Sequence, residues 1–533
     1  MRDHFFIATV LASALTPACA DVMTGPFAAT TVLNAPACGL VGPAPGTRTA
    51  MCVVDAALPS AAACSAACLA AAECTAFTWH APGNGVWSLA CVFRTDGAWQ
   101  PTMDAPAHFA GRKVAPPAWP VADGFARLPT MWFGANASGL DAPETLALIA
   151  RHRVAVYGWQ QGTASSSSGG GGGGGPVLGS GDALQAAAAT HLADFLDSLP
   201  AQRGANRTLV GVYRQVMIAQ QLFAGAHAAA SNASDDGFWL RSGGNASSAG
   251  DGVDGDGVVC RFGMPWGTAD PVFNFSVKEA ADYWVDTIVG AVAAEAVTAG
   301  VRVVFLDDSD YNFCGFWTKP EGNCAALPAA ALAAMHMANN EVLGRTAAAL
   351  NAAGIIPLFS SVNVLAAAST GLPGPPAVAC ALPEDATLAA LAGTTFARFY
   401  EFFPALEQGG ADVAATAMAN AILEGAAGVP FVAHFFAPSC PAAPRNITRP
   451  GRLGGPIELQ LALFLAIQTQ AAIFSISNDW FDKDYCWHSE FDVSYGAPLA
   501  PAVRTGPYAW ARNFSAASVM VDVQAMAGEV TLL

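Results

Sequence analysis

Three aspartates fall within four positions, Asp307, Asp308 and Asp310, at the end of the apolar run in VRVVFLDDSDYNF. A further acid, Glu401, closes a second apolar and aromatic run, TTFARFYEFF. A strand buried on both faces is a rigid rod, so a carboxylate at its end is held in place, as a preorganised site requires. Glycoside hydrolysis needs two such carboxyls, one to protonate the departing oxygen and one to attack carbon or activate water. Asp307 and Glu401 are the candidate pair, with Asp308 and Asp310 as additional candidates. Side chains alternate along a strand, which places Asp307 and Asp308 on opposite sides, but with apolar residues on both faces the sequence leaves open which one points inward. The same residue types also make calcium sites, helix caps and solvated loops.

Polar and aromatic residues at other strand ends, Trp132, Trp159 with Gln160, Tyr213, Trp266, Asn363 and His434, are candidate sugar-binding positions, since flat sugar faces stack on aromatic rings. The segment NDWFDKDYCWHSEFD, Asn478 to Asp492, suits either a substrate loop or a solvated loop tied down by Cys486. The nine histidines have no metal-ligand spacing and the scattered cysteines form no C-x2-C pairs, so no metal or other cofactor is expected. A Gly-x-Ser-x-Gly elbow is missing as well, against an ordinary serine hydrolase.

The elements that must position these groups are eight short apolar runs: TMWFGA, VAVYGWQQ, LVGVYRQVMI, VRVVFLDD, IIPLFSSVN, TTFARFYEFF, VPFVAHFF and AAIFSISND. Helical patterns separate most of them, among them DAPETLALIARHR and DVAATAMANAILEGAAG. Eight strand and helix units predict the α/β class and a (β/α)8 TIM barrel over residues 126–495, with chemistry at the C-terminal strand ends. An open doubly wound sheet is the alternative, disfavoured by the lack of a Gly-x-Gly-x-x-Gly turn. The SSSSGGGGGGG tract from Ser165 and the stretch from about Ala224 to Asp256 read as disordered insertions.

The 533-residue chain is 53 % hydrophobic and 12 % charged, with a net charge of −17 and no basic block. That composition allows large cores and argues against nucleic-acid partners. Residues 1–20 have the pattern of a signal peptide, and the apolar stretch Ile457–Ser477 is broken by glutamines, so no membrane span is expected. Removal of residues 1–20 leaves twelve of the 13 cysteines, an even number suited to an oxidising compartment. Sequons at Asn136, Asn206, Asn232, Asn245, Asn274, Asn446 and Asn513 predict a secreted glycoprotein glycosylated in surface loops.

Six cysteines, Cys38, Cys52, Cys64, Cys68, Cys74 and Cys91, crowd before the proline-rich stretch 113–125, which reads as a linker. The spacing C-x3-C-x5-C-x2-F, followed by C-x-F, resembles the PAN/apple family over residues 36–112. The resemblance implies a disulfide-rich α+β module with three disulfides and a protein or glycan ligand; six cysteines allow fifteen pairings and the pairing stays open. VFLDDSDYNF is similar to the strand ending of barrel glycoside hydrolases of the endo-α-1,4-polygalactosaminidase type, although Arg302-Val303 replaces their usual Asp-Gly. That likeness implies active-site roles for Asp307 and Asp310, with Glu401 the matching acid. The tail 496–533, with its Arg-x-Phe and strand pair, is similar to the short β segment that closes many glycosidase barrels. The expected function is therefore cleavage of a polysaccharide or glycoconjugate; the alternative is an extracellular carbohydrate- or protein-binding protein on a degenerate barrel.

Overall fold

The computed structural model describes the strands within residues 37–112 and most of the chain from Trp119 on, apart from segments that include 135–141, 160–177, 203–206, 233–236, 243–257, 265–267, 310–328, 361–390, 437–444 and 478–486. Two compact units divide near Pro116 and Pro117. In the first, β1 (Ala37–Val41), β2 (Thr49–Asp55), β3 (Ala76–His80), β4 (Cys91–Arg94) and β5 (His108–Arg112) form an antiparallel sheet in the order β1-β2-β4-β3-β5. Cys38 and Cys52 are register partners across β1 and β2. Cys64, Cys68 and Cys74 lie outside the described residues.

The second unit is built on β6 (Thr130–Gly134), β7 (Val154–Tyr157), β8 (Leu209–Gln215), β9 (Val303–Asp307), β10 (Ile356–Ser360), β11 (Ala397–Tyr400), β12 (Phe431–Phe436) and β13 (Ala472–Ser477). All neighbours pair in parallel, and β13 closes on β6 to complete an eight-stranded barrel. Each predicted apolar run is one strand. The helices are α1 (Pro143–Ile149), α2 (Gly181–Ser198), α3 (Ala224–Ser231), α4 (Lys278–Asp282, a π-helical Tyr283–Val289, then Gly290–Thr298), α5 (Ala329–Ala352), α6 (Leu406–Ala426) and α7 (Glu458–Ile467). This is a TIM barrel, in which strands covered by helices outside and side chains inside read as unbroken apolar runs.

Alternation is resolved by the interior cluster. Met131, Phe133, Val154, Val156, Tyr213, Val303, Phe305, Ile356, Leu358, Ala397, Phe399, Val432 and Ile473 pack together inside. Phe305 lies at its centre, edge-on to Phe399 at 4.7 Å and to Phe133 at 5.3 Å between ring centroids. Residues two positions further along β9, β10 and β11 from Phe305, Leu358 and Phe399 are Asp307, Ser360 and Glu401, so the same parity that fills the core aims these three polar groups at the C-terminal mouth.

Trp119 changes the reading of the linker. It belongs to the interior cluster, and its indole N–H donates to the Ala471 carbonyl at 2.8 Å, just before β13. Trp119, within 113–125, therefore packs into the barrel body. The stretch expected to be a disordered insertion from Ala224 begins with α3, as its alanines favour, and its Trp239 is buried against Phe273 at 5.1 Å.

The tail forms β14 (Val503–Arg504), β15 (Ala509–Asn513), β16 (Ala517–Asp522) and β17 (Ala527–Leu532), an antiparallel sheet joined at the β17 edge by Gly451–Arg452. It is larger than the expected strand pair and packs on α7. A Cβ on Gly528 would lie 2.7 Å from that of Ala462, so the close approach needs glycine. Arg512 donates to the carbonyls of Leu465, Ala466 and Gln468, filling the acceptors left open at the C-terminal end of α7. The Arg-x-Phe of the tail is thus a helix cap.

Candidate active site

β9 delivers Asp307 to the mouth. Its Oδ2 accepts a hydrogen bond from the Tyr213 hydroxyl of β8 at 2.8 Å, and its Oδ1 accepts the Asp308 backbone N–H at 2.9 Å. The Ser360 hydroxyl of β10 is near enough to this carboxyl to favour its ionised form. Burial pushes the Asp307 carboxyl above the usual aspartate range, while the three donors pull it back toward the ionised form. Tyr213 is held far above the ordinary tyrosine value by burial, then by the charges of Asp307 and Asp308, so it is a permanent donor.

Ser360 connects the candidate pair. Its hydroxyl lies 3.2 Å from Oε2 of Glu401 and also acts on Asp307. Asp307 and Glu401 therefore belong to one site, carried by strands on either side of β10.

Asp308 departs from the expected alternation. It leaves β9 with φ of 46°, a left-handed conformation that aspartate tolerates better than most residues. The turn brings its Oδ2 to the Gln215 side-chain amide, at the end of β8. The Gln215 carbonyl oxygen in turn accepts from Gln220, whose amide also lies 3.3 Å from the Tyr213 hydroxyl. Both adjacent aspartates thus meet partners from the β8 end. The following turn is pinned from α5, where buried Asn339 donates to the Ser309 carbonyl at 2.8 Å.

The other predicted positions separate. Tyr213 is 2 % exposed and serves as a donor to Asp307, with no open face for a sugar. His434 is fully buried on β12, stacked on Phe399 and 2.9 Å from the Ser477 hydroxyl; burial lowers its pKa to about 3, so it is neutral. Trp159 packs partly exposed on the top of the interior cluster. Trp132 has the opposite parity to Phe133: 3 % exposed, it lies over Gly134 and edge-on to Tyr157, on the outer side of the strand. Asp310, Gln160, Trp266 and Asn363 lie outside the described residues. Ser360, Gln215 and Gln220 were not candidates; the signal that would have found them is a polar residue at the core parity of a strand end.

Of the acidic segment Asn478–Asp492, residues from Trp487 are described and act structurally. Glu490 is buried in an ion pair with Arg445 at 2.8 Å, and Asp492 pairs with Arg151, which lies 3.7 Å above the Trp487 ring. Among the described residues no group of three or more His, Cys, Asp or Glu side chains could hold a metal, and no helix is long and apolar enough to cross a membrane. Cys260 is buried and disulfide-bonded. Sequon residues Asn232 and Asn513 are exposed, the latter at a strand end, whereas half-buried Asn274 binds the Ser276 of its own sequon. The remaining sequons, at Asn136, Asn206, Asn245 and Asn446, lie outside the described residues.

No protein-family model and no curated protein matches the chain. Solved structures do. An α-N-acetylgalactosaminidase from Bifidobacterium bifidum matches at 12 % identity and a TM-score of 0.35, over 76 % of this chain and 57 % of that enzyme, less than two thirds of its length. An L-ribulose 3-epimerase matches at 13 % identity and 0.29, over 66 % of this chain and 81 % of its own. A noncanonic maltogenic α-amylase from Thermotoga neapolitana matches at 9 % and 0.34, over 75 % and 86 %. The barrel assignment itself rests on the strand order and closure.

Proposed function

We propose that the barrel hydrolyses O-glycosidic bonds of a polysaccharide or glycoconjugate, with Asp307 as nucleophile or base and Glu401 as acid. The observation that carries this reading is that both carboxyls meet at the Ser360 hydroxyl in the C-terminal mouth of the barrel. Burial raises the Asp307 carboxyl, and the Tyr213 hydroxyl, the Asp308 N–H and the nearby Ser360 hydroxyl work against it, toward the ionised form that attack on the anomeric carbon, or on a proton of water, requires. Glu401 then gives its proton to the oxygen that leaves as the C–O bond breaks. Gln215, Asp308 and Trp159, grouped around the same strand ends, supply hydrogen bonds and an aromatic surface for a sugar.

The same proposal puts the chain on the secretory path, supported by the pattern of residues 1–20 and the sequons, and gives residues 36–112 a protein- or glycan-binding role, supported by the PAN/apple-like cysteine spacing. The assignment of roles is tested with aryl glycosides graded by leaving group. Glu401→Gln is expected to lose about 10²–10⁴-fold on poor leaving groups and far less on nitrophenolates, which depart without a proton. Asp307→Asn is expected to be inactive on both; equal losses for Glu401→Gln across the series would remove Glu401 from the acid role.

A further inference from the structure

Ser360 is fully buried, ends the strand between those of the two carboxyls, lies 3.2 Å from Glu401 and acts on Asp307, yet a hydroxyl has one proton to give. If Asp307 and Glu401 were both ionised, one of its two carboxylate contacts would set oxygen against oxygen with no hydrogen between. The contacts are both satisfied when Glu401 is protonated and donates to the Ser360 oxygen while the Ser360 hydroxyl donates to Asp307. The reverse polarity would put the proton on Asp307, where the Tyr213 hydroxyl and the Asp308 N–H already point as donors. Those two donors make one direction of the chain the better one.

We propose that Ser360 is a positioning residue that divides one proton between the carboxyls, fixing Asp307 as the ionised member and Glu401 as the protonated one. The inference rests on the reading of Asp307 and Glu401 as the reacting pair. Among the described residues, the titratable groups around them are Tyr213 on β8, Asp308 after β9 and His434 on β12. Tyr213 stays protonated and His434 stays neutral through the working range, so neither supplies a competing charge. Asp308 is turned toward Gln215, whose side-chain amide donates to it.

The test compares wild type with Ser360→Ala, which removes the hydroxyl and keeps the backbone and Cβ. The side-chain carboxyl ¹³C signals of Asp- and Glu-labelled full-length protein are titrated without substrate, with Asp307→Asn and Glu401→Gln identifying the two resonances. Wild type is expected to lose the two protons in well-separated steps, Asp307 first. In Ser360→Ala the steps draw together by about one pH unit or more, because ionised Asp307 loses a donor and protonated Glu401 loses an acceptor. The pH–rate bell narrows by the same total amount, shared between its two limbs. An unchanged separation in Ser360→Ala, or Glu401 titrating before Asp307, overturns the proton division. If the titrations behave as expected but no glycoside is cleaved, the division of the proton stands and the hydrolase reading fails.

Discussion

Strand β11 serves two carboxylates in opposite ways, buried Glu424 and half-buried Glu401. On its outer face Arg398 and Tyr400 both bond Glu424 of α6, in a site where Arg398 is 3 % and Glu424 0 % exposed. On its inner face Phe399 leads to Glu401, which shares Ser360 with Asp307. Glu424 is neutralised by a cation and cannot act on anything. Among the described residues, the groups that bond Asp307 are neutral donors, hydroxyls and a backbone amide. The contrast between the two sites is an ion pair at Glu424 and, among the described residues, neutral hydrogen-bond donors at Asp307.

The largest effects separate the two sites. Arg398→Met leaves Glu424 buried without its cation and is expected to cost about 3–5 kcal/mol in denaturant unfolding. Asp307→Asn, nearly the same in shape, should abolish turnover while shifting stability by no more than about 1 kcal/mol. A large loss of stability in Asp307→Asn would make that carboxylate structural and collapse the contrast.

Acid stability comes next. Buried His152 and His434 have pKa values lowered to about 3, in each case chiefly by burial. Their unfolded forms take up a proton near pH 6.5 and the folded forms do not, so stability falls as pH drops from about 6.5 toward 3, by about 1.4 kcal/mol per pH unit for each histidine. Unfolding measured across that window should show the slope, and His152→Gln should remove its share. Asp307 has the opposite sign to a paired carboxylate. Its raised value contributes stability at low pH that is lost as pH rises through the folded pKa, so Asp307→Asn should gain on wild type toward neutral pH.

A finer contrast is set by Tyr213→Phe. Loss of its hydroxyl pushes Asp307 further up and moves the acid limb of the pH–rate profile to higher pH by about one unit. The smallest expected effect, about 0.3–1 kcal/mol, is from Arg512→Met, which uncaps α7 far from the mouth and should leave the pH profile untouched.

The barrel was legible because strands buried on both faces leave unbroken apolar runs between turn residues, and Asp307 because such a run ends abruptly in acids. The inward direction was not, since Leu306 and Phe305 are equally apolar; only the packing of Phe305 on Phe399 and Phe133 distinguishes them. Trp132 looked like a sugar platform for the same reason, one parity step from Phe133. Asp308 escaped the alternation rule through a positive φ that its residue type permits without announcing. Ser360, Gln215 and Gln220 carry no charge and no motif, so their place beside the carboxylates emerges only when strands distant in sequence become neighbours.

The central claim, that Asp307 and Glu401 act on one bond, is tested most directly by a double-mutant cycle on turnover of a cleaved glycoside. If the two carboxyls act as a unit, Asp307→Asn combined with Glu401→Gln should be scarcely slower than Asp307→Asn alone. Losses that multiply, or single variants that keep the wild-type rate, would contradict it.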